Sequence, residues 1–164
     1  MFETKRLIIN QLEMDDVEVF AKYRNKAIVA KYQSWNNYSV EEAKKRIQTC
    51  KKNKFSLFSR NYQLAIRLPD GKLIGDLYLE PKITKKIAIG YTLDDQYWNQ
   101  GYGVEVVQGL LEWLTNQQFQ VVFAHVYPEN IRSRKLLEKL GFTQINTSKL
   151  YGDITYKKVL EQEF

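Results

Sequence analysis

The chain has 164 residues, with 25 lysines and arginines against 19 aspartates and glutamates, a net charge of +6. That length suits one domain, 1–164, and 44% hydrophobic residues are enough to bury a core, which excludes disorder by composition. No apolar run approaches the ~18 residues of a membrane span, and the first residues do not read as a signal peptide. One cysteine, Cys50, and one histidine exclude an intramolecular disulfide and an ordinary zinc site and point to a reducing cytoplasm.

In chain order, residues 7–9 read as a short strand. Asp15 and Asp16 then precede Val17, Phe20 and Tyr23, whose spacing is helical, and carboxylates favour a helix start. A loop through Trp35 and Tyr38 leads to Ser39 and Glu42, a capping box that should open a helix running to about Lys52, with Cys50 packing near its end. Residues 63–68 and 73–79 are strands joined at Pro69-Asp70-Gly71-Lys72, a hairpin signal, and 87–93 continue the antiparallel meander after a turn at 81–86. A helix follows Gly103, with Val107, Leu110, Leu111 and Leu114 on one face. Residues 120–127 form a strand whose run Val121-Val122-Phe123-Ala124 is apolar on both faces, so it should lie inside the sheet. A helix over 131–140 is bracketed by Asn130 as cap and Gly141 as stop, and 154–160 is the final strand. The order predicts an α+β fold with a mixed, mostly antiparallel sheet.

The segment that carries chemistry is Trp98-Asn99-Gln100-Gly101-Tyr102-Gly103-Val104-Glu105, between a strand and a helix. Glycines at 101 and 103 let backbone N–H groups converge on one concavity, and the helix N-terminus adds its positive end, a combination suited to a pyrophosphate. It is neither a P-loop, for no Gly-Lys-Ser/Thr follows, nor a dinucleotide fingerprint, because position 106 is Val.

About thirty residues later a strand leads into Asn130-Ile131-Arg132-Ser133-Arg134-Lys135-Leu136-Leu137-Glu138-Lys139-Leu140-Gly141-Phe142. With this second segment the chain resembles the GNAT N-acetyltransferases over roughly residues 3 to 160. Tyr97 to Gly103 with Glu105, Asn130 with Ser133, the opening Glu3-Thr4-Lys5-Arg6-Leu7 and Ile89-Gly90-Tyr91 resemble the ribosomal-protein N-terminal acetyltransferase branch. The resemblance implies a three-layer α/β/α fold with acetyl-CoA as co-substrate and no metal. It implies a sheet that splays open after Leu93, where backbone groups of Tyr91, Thr92 and Leu93 pair with the pantetheine arm. It further implies that the backbone of Asn99, Gln100, Gly101, Tyr102, Gly103 and Val104 cradles the pyrophosphate. Asn130 would bond the pantetheine region while capping its helix, and Arg134 or Lys135 would meet the 3′-phosphate.

Two positions depart from the pattern. Trp98 stands where the family usually has Arg or Gln, and Leu137 stands where many members place a tyrosine that protonates the thiolate. The branch points instead to Ser133 beside the departing sulfur.

The expected reaction is direct attack of a neutral amine on the thioester in a ternary complex, with the carbonyl polarised by a backbone N–H near Leu93. A general base is sought among Asp76, Glu80 and Asp94, ahead of Asp153 and His125. Trp35, Tyr38 and Tyr78 are candidates for the acceptor pocket. The acceptor stays open between a protein N-terminus and a small-molecule amine such as an aminoglycoside or polyamine. A non-catalytic acyl-CoA-binding module is the alternative of another class. Longer acyl groups and a homodimer are left open, and the absence of a helix-turn-helix, RNP or basic-tail signature argues against nucleic acid.

Overall fold

The computed structural model describes residues 1–56 and 60–161. Its strands are β1 (Phe2–Glu3), β2 (Ile8–Gln11), β3 (Tyr62–Arg67), β4 (Leu73–Lys82), β5 (Lys86–Leu93), β6 (Val121–Val126), β7 (Thr143–Thr147) and β8 (Ile154–Val159). Its α-helices are α1 (Val17–Arg24), α2 (Ala27–Ala30), α3 (Val40–Lys52), α4 (Tyr102–Asn116) and α5 (Ile131–Lys139). The strands form one sheet in the order β1-β2-β3-β4-β5-β6-β8-β7. Neighbours are antiparallel except β5 and β6, which run parallel because α4 carries the chain across between them.

Local chemistry explains most of the boundaries. Ser39 Oγ accepts from the Glu42 N–H while the Glu42 carboxylate accepts from the Ser39 N–H, so the expected capping box starts α3. The β3–β4 hairpin turns at Gly71, whose φ of +90° a glycine adopts without steric cost. The Leu68 N–H closes this turn onto the Lys72 carbonyl. α4 buries Val106, Val107, Leu110, Leu111 and Leu114 on one side, the stripe read from the sequence with one residue added.

One core cluster joins this stripe to Ile87, Ile89 and Leu93 of β5, Val122, Ala124 and Val126 of β6, and Leu137 of α5. A second gathers α1, α2 and α3 through Phe20, Tyr23, Val29, Ala43 and Ile47. α1 and α3 lie over β4 and β3 respectively, and not over β6. Hence β6 departs from its expected double burial. It lies inside the sheet, but Val121 and Phe123 are only half-buried and His125 is exposed, so among the described residues that face is left largely uncovered.

The splay also sits earlier than expected. Pairing of β5 with β6 ends at Ile89↔Ala124, while β5 continues to Leu93 against β4 alone and β6 continues to Val126 against β8. Residues Gly90–Leu93 therefore present a free strand edge, starting before Leu93 and not after it. Among the described residues, no helix is long and apolar enough to cross a membrane.

Candidate active site

The splay opens into a cavity of about 590 Å³. One wall is Tyr91, Thr92 and Leu93 of β5. The floor is the turn from Tyr97 to Val104. A second wall is α5, and the far side is Ile28, Val29, Lys31, Tyr32 and Gln33 of α2 and the loop after it.

The turn is shaped by backbone in the left-handed region, with Asn99 at φ 58° and Gly101 at φ 81°. A Cβ on Gly101 would also come within 3.2 Å of the Arg6 guanidinium. Trp98 ties the turn to the splayed strand, its indole N–H donating to the Leu93 carbonyl at 2.9 Å, and the Arg132 guanidinium lies 4.0 Å over its ring. The residue that departs from the family's usual side chain is thus a brace between β5, the turn and α5.

Among the described helices, α1, α2 and α4 begin without a side-chain cap. Ser39 caps α3 and Asn130 caps α5, each accepting from a first-turn N–H, whereas no side chain caps α4. Its first-turn residues Gly103 and Val104 line the cavity, at the positive end of a four-turn helix, where an anion is favoured.

Behind the turn, Glu105 is gripped by the N-terminal arm. Its carboxylate accepts from Thr4 Oγ1 at 2.6 Å, the Arg6 N–H at 2.7 Å and Arg6 Nε at 2.6 Å. Arg6 also donates to the Gln100 carbonyl at 3.0 Å and lies 4.3 Å over the Tyr102 ring. Burial alone would raise the Glu105 carboxyl pKa, but the bonds from Thr4 and Arg6 outweigh it and hold the group below its ordinary value. The arm therefore fixes the turn in a charged, hydrogen-bonded frame.

On α5, Asn130 Oδ1 accepts from the Ser133 N–H at 3.2 Å, confirming the cap. Ser133 Oγ meets the Tyr91 hydroxyl at 2.6 Å. Burial pushes the Tyr91 phenol up to about 12, against the lowering effect of the Ser133 bond. Leu137 is fully buried in the core.

Of the residues expected at the cofactor, Tyr91, Thr92, Leu93, Asn99, Gly101, Gly103, Val104, Asn130 and Lys135 line the cavity, as does Ser133. Gln100 and Tyr102 belong to the turn but are engaged by Arg6 on its outer side. Arg134 does not reach the cavity. Its guanidinium donates to the Tyr156 hydroxyl at 3.3 Å and the Pro128 carbonyl at 3.1 Å. The α5 face toward the cavity is Arg132, Lys135, Leu136 and Lys139, spaced i, i+3, i+4 and i+7. That spacing was available to find Arg132 and Lys139. The α2 side of the cavity had no comparable signal.

The acid–base candidates lie outside the cavity. Asp94 accepts from Lys26 at 2.5 Å, and Glu80 pairs with Lys82 at 2.6 Å beside the closed, β6-paired end of β5. Asp76 is 1% exposed and takes the Tyr23 hydroxyl at 2.5 Å, Arg24 at 2.9 Å and Gln63 at 2.6 Å. Trp35 and Tyr38 do not line the cavity but close over Arg24 at 3.6 and 4.5 Å, and Tyr78 also lies outside. His125 stands on the open face with Thr155 Oγ1 at 3.2 Å and Asp153 at 3.6 Å from Nδ1. Cys50 is buried, which raises its thiol and fits the packing role read for it.

The Acetyltransferase (GNAT) domain model matches residues 6–143. The chain belongs to the GNAT acetyltransferase family. It is an N-acetyltransferase by that membership, and acetyl-CoA is the family's co-substrate. It is similar to the N-acetyltransferase YnaD of Bacillus subtilis, 26% identical over 98% of this chain and 97% of that one. Two solved structures share the fold. The ribosomal-protein-S5-alanine acetyltransferase from Vibrio fischeri has a TM-score of 0.81 at 21% identity, over 98% of this chain and 96% of that one. The spermidine N-acetyltransferase from Vibrio cholerae in complex with CoA and spermine has a TM-score of 0.80 at 15% identity, over 94% and 95%.

The cavity fits such a co-substrate. The uncapped α4 N-terminus suits a pyrophosphate, and the free β5 edge suits an arm of amide groups.

Proposed function

We propose that this GNAT N-acetyltransferase seats acetyl-CoA along the free edge of β5, with the pyrophosphate on the N–H groups of the turn and of α4. The acetyl group passes to an amine by direct attack. The observation that carries the reading is the start of α4, where the first-turn residues Gly103 and Val104 line the cavity beside the free edge of β5 and no side chain caps the helix. Arg132, Lys135 and Lys139 supply charge for phosphate groups along α5. The amine nitrogen bonds the thioester carbon, the C–S bond breaks, and the electron pair goes to sulfur, where the Ser133 hydroxyl is placed to hydrogen-bond it.

The acceptor that best suits this cavity is the α-amine of a peptide or protein N-terminus. Two features support that choice over a polyamine or aminoglycoside. Among the described residues the lining carries one carboxylate, Glu129, so a polycation finds few anionic partners there. The carboxylates that could act as base, Asp76, Glu80 and Asp94, are held by cations outside the cavity. An α-amine titrates near pH 7.7–8.0, about two units below a side-chain ammonium, so a useful fraction is already neutral and its proton can leave through water.

The test is a turnover assay reading free thiol against a panel of N-terminal peptides, spermidine and an aminoglycoside. The reading expects the peptides to be preferred and the rate to rise with pH toward the α-amine range. Preferred turnover of spermidine or the aminoglycoside would contradict it.

A further inference from the structure

Ser133 sits in the first turn of α5 with its backbone N–H already given to Asn130 Oδ1. Its hydroxyl has one hydrogen and two lone pairs, and a first-turn serine is free to rotate that hydrogen among several partners. Tyr91 removes the freedom. It arrives from β5 just past the last β5–β6 pair, lines the same cavity, and brings its hydroxyl to 2.6 Å from Ser133 Oγ. Either hydroxyl can donate in this bond; the phenol is the more acidic of the two, which favours Tyr91 O–H as donor and Ser133 Oγ as acceptor.

We propose that Tyr91 is a positioning residue: by donating to Ser133 Oγ it leaves the serine's own hydrogen aimed into the cavity, at the sulfur of the bound coenzyme. The proposal rests on the reading of this cavity as the acyl-CoA site. When the C–S bond breaks, the electron pair on sulfur accepts a hydrogen bond from Ser133, whose oxygen is polarised by the phenol behind it. No proton leaves Tyr91, which stays protonated because burial keeps its phenol up at about 12. The thiolate takes its proton from water on release.

The thiol of bound CoA reports this contact without an acceptor. Full-length protein is saturated with CoA and the thiolate is followed by its ultraviolet absorbance against pH. In the wild type the bound thiol should ionise about tenfold more readily than free CoA. Ser133→Ala should return it to the free value. Tyr91→Phe should lose about threefold of the gain, and the double variant should match Ser133→Ala. Tyr91→Met is the second variant, removing the donor with a flexible filler if the phenyl ring packs poorly. Wild-type thiol ionisation in a Tyr91 variant that still binds CoA would overturn the proposal, as would additive losses in the double variant. Failure of the wild type to bind CoA would instead overturn the acyl-CoA reading, and this proposal with it.

Discussion

At the scale of single residues, Glu105 shows how a charge far from any substrate can set a binding site. Its carboxylate is the anchor onto which Thr4 and Arg6 fasten, and Arg6 in turn holds Gln100 and Tyr102 of the turn. Glu105→Gln should cost about 1–3 kcal/mol of stability, read by denaturant unfolding, and weaken acetyl-CoA several-fold, read by calorimetry. The pH dependence has a definite sign. Because the folded carboxyl titrates below its unfolded value, its contribution is complete above the unfolded value of about 4.3 and is lost as pH falls through the lower folded value. Melting temperature should fall across that acidic window in the wild type and less so in Glu105→Gln. Asp76 carries a different kind of weight. Asp76→Ala would strand Arg24, buried beneath Trp35 and Tyr38, without a carboxylate, and should cost about 3–5 kcal/mol in chemical denaturation. A loss of activity with no loss of stability would restore Asp76 as a catalytic candidate.

At the scale of elements, α5 separates what the sequence made legible from what it did not. The helix, its Asn130 cap and its Gly141 stop were readable because caps and stops are local chemistry. Which of its cations faces the cavity was not, because that depends on how the helix is rotated against β5. The neighbouring Arg134 and Lys135 looked equivalent in sequence, yet Arg134 braces Tyr156 and Pro128 while Lys135 lines the cavity. Lys135→Ala should therefore weaken CoA several-fold with little change in stability, and Arg134→Ala should lower stability and leave affinity nearly unchanged. The reverse pattern would show that the helix face is misassigned. The missed elements share a cause. β1 has two residues, α2 has four, and β7 is exposed along its whole length, so none can display a period. The splay was placed late because the pairing of two strands is a tertiary fact, invisible in the apolar run of either one.

At the scale of the molecule, the sheet is covered unevenly, and the unevenness makes the site. α4 and α5 pack against β5 and β6 on one side, while α1 and α3 stop over β4 and β3, leaving the other face of β6 open. The parallel β5–β6 pair, forced by the α4 crossover, is where the sheet parts, so the free strand edge, the uncapped helix end and Ser133 converge on one cavity. Four cations and one carboxylate give that cavity a positive lining. On the proposed function, this cavity holds acetyl-CoA through the turn at Gly101. Calorimetry of acetyl-CoA binding to the wild type and to Gly101→Val tests it most directly, since a β-branched residue is strained at φ 81° and its side chain meets Arg6. Micromolar binding is expected of the wild type, with at least a tenfold loss in a variant that stays folded. Absence of binding up to millimolar acetyl-CoA, or equal binding by the two proteins, would contradict that reading.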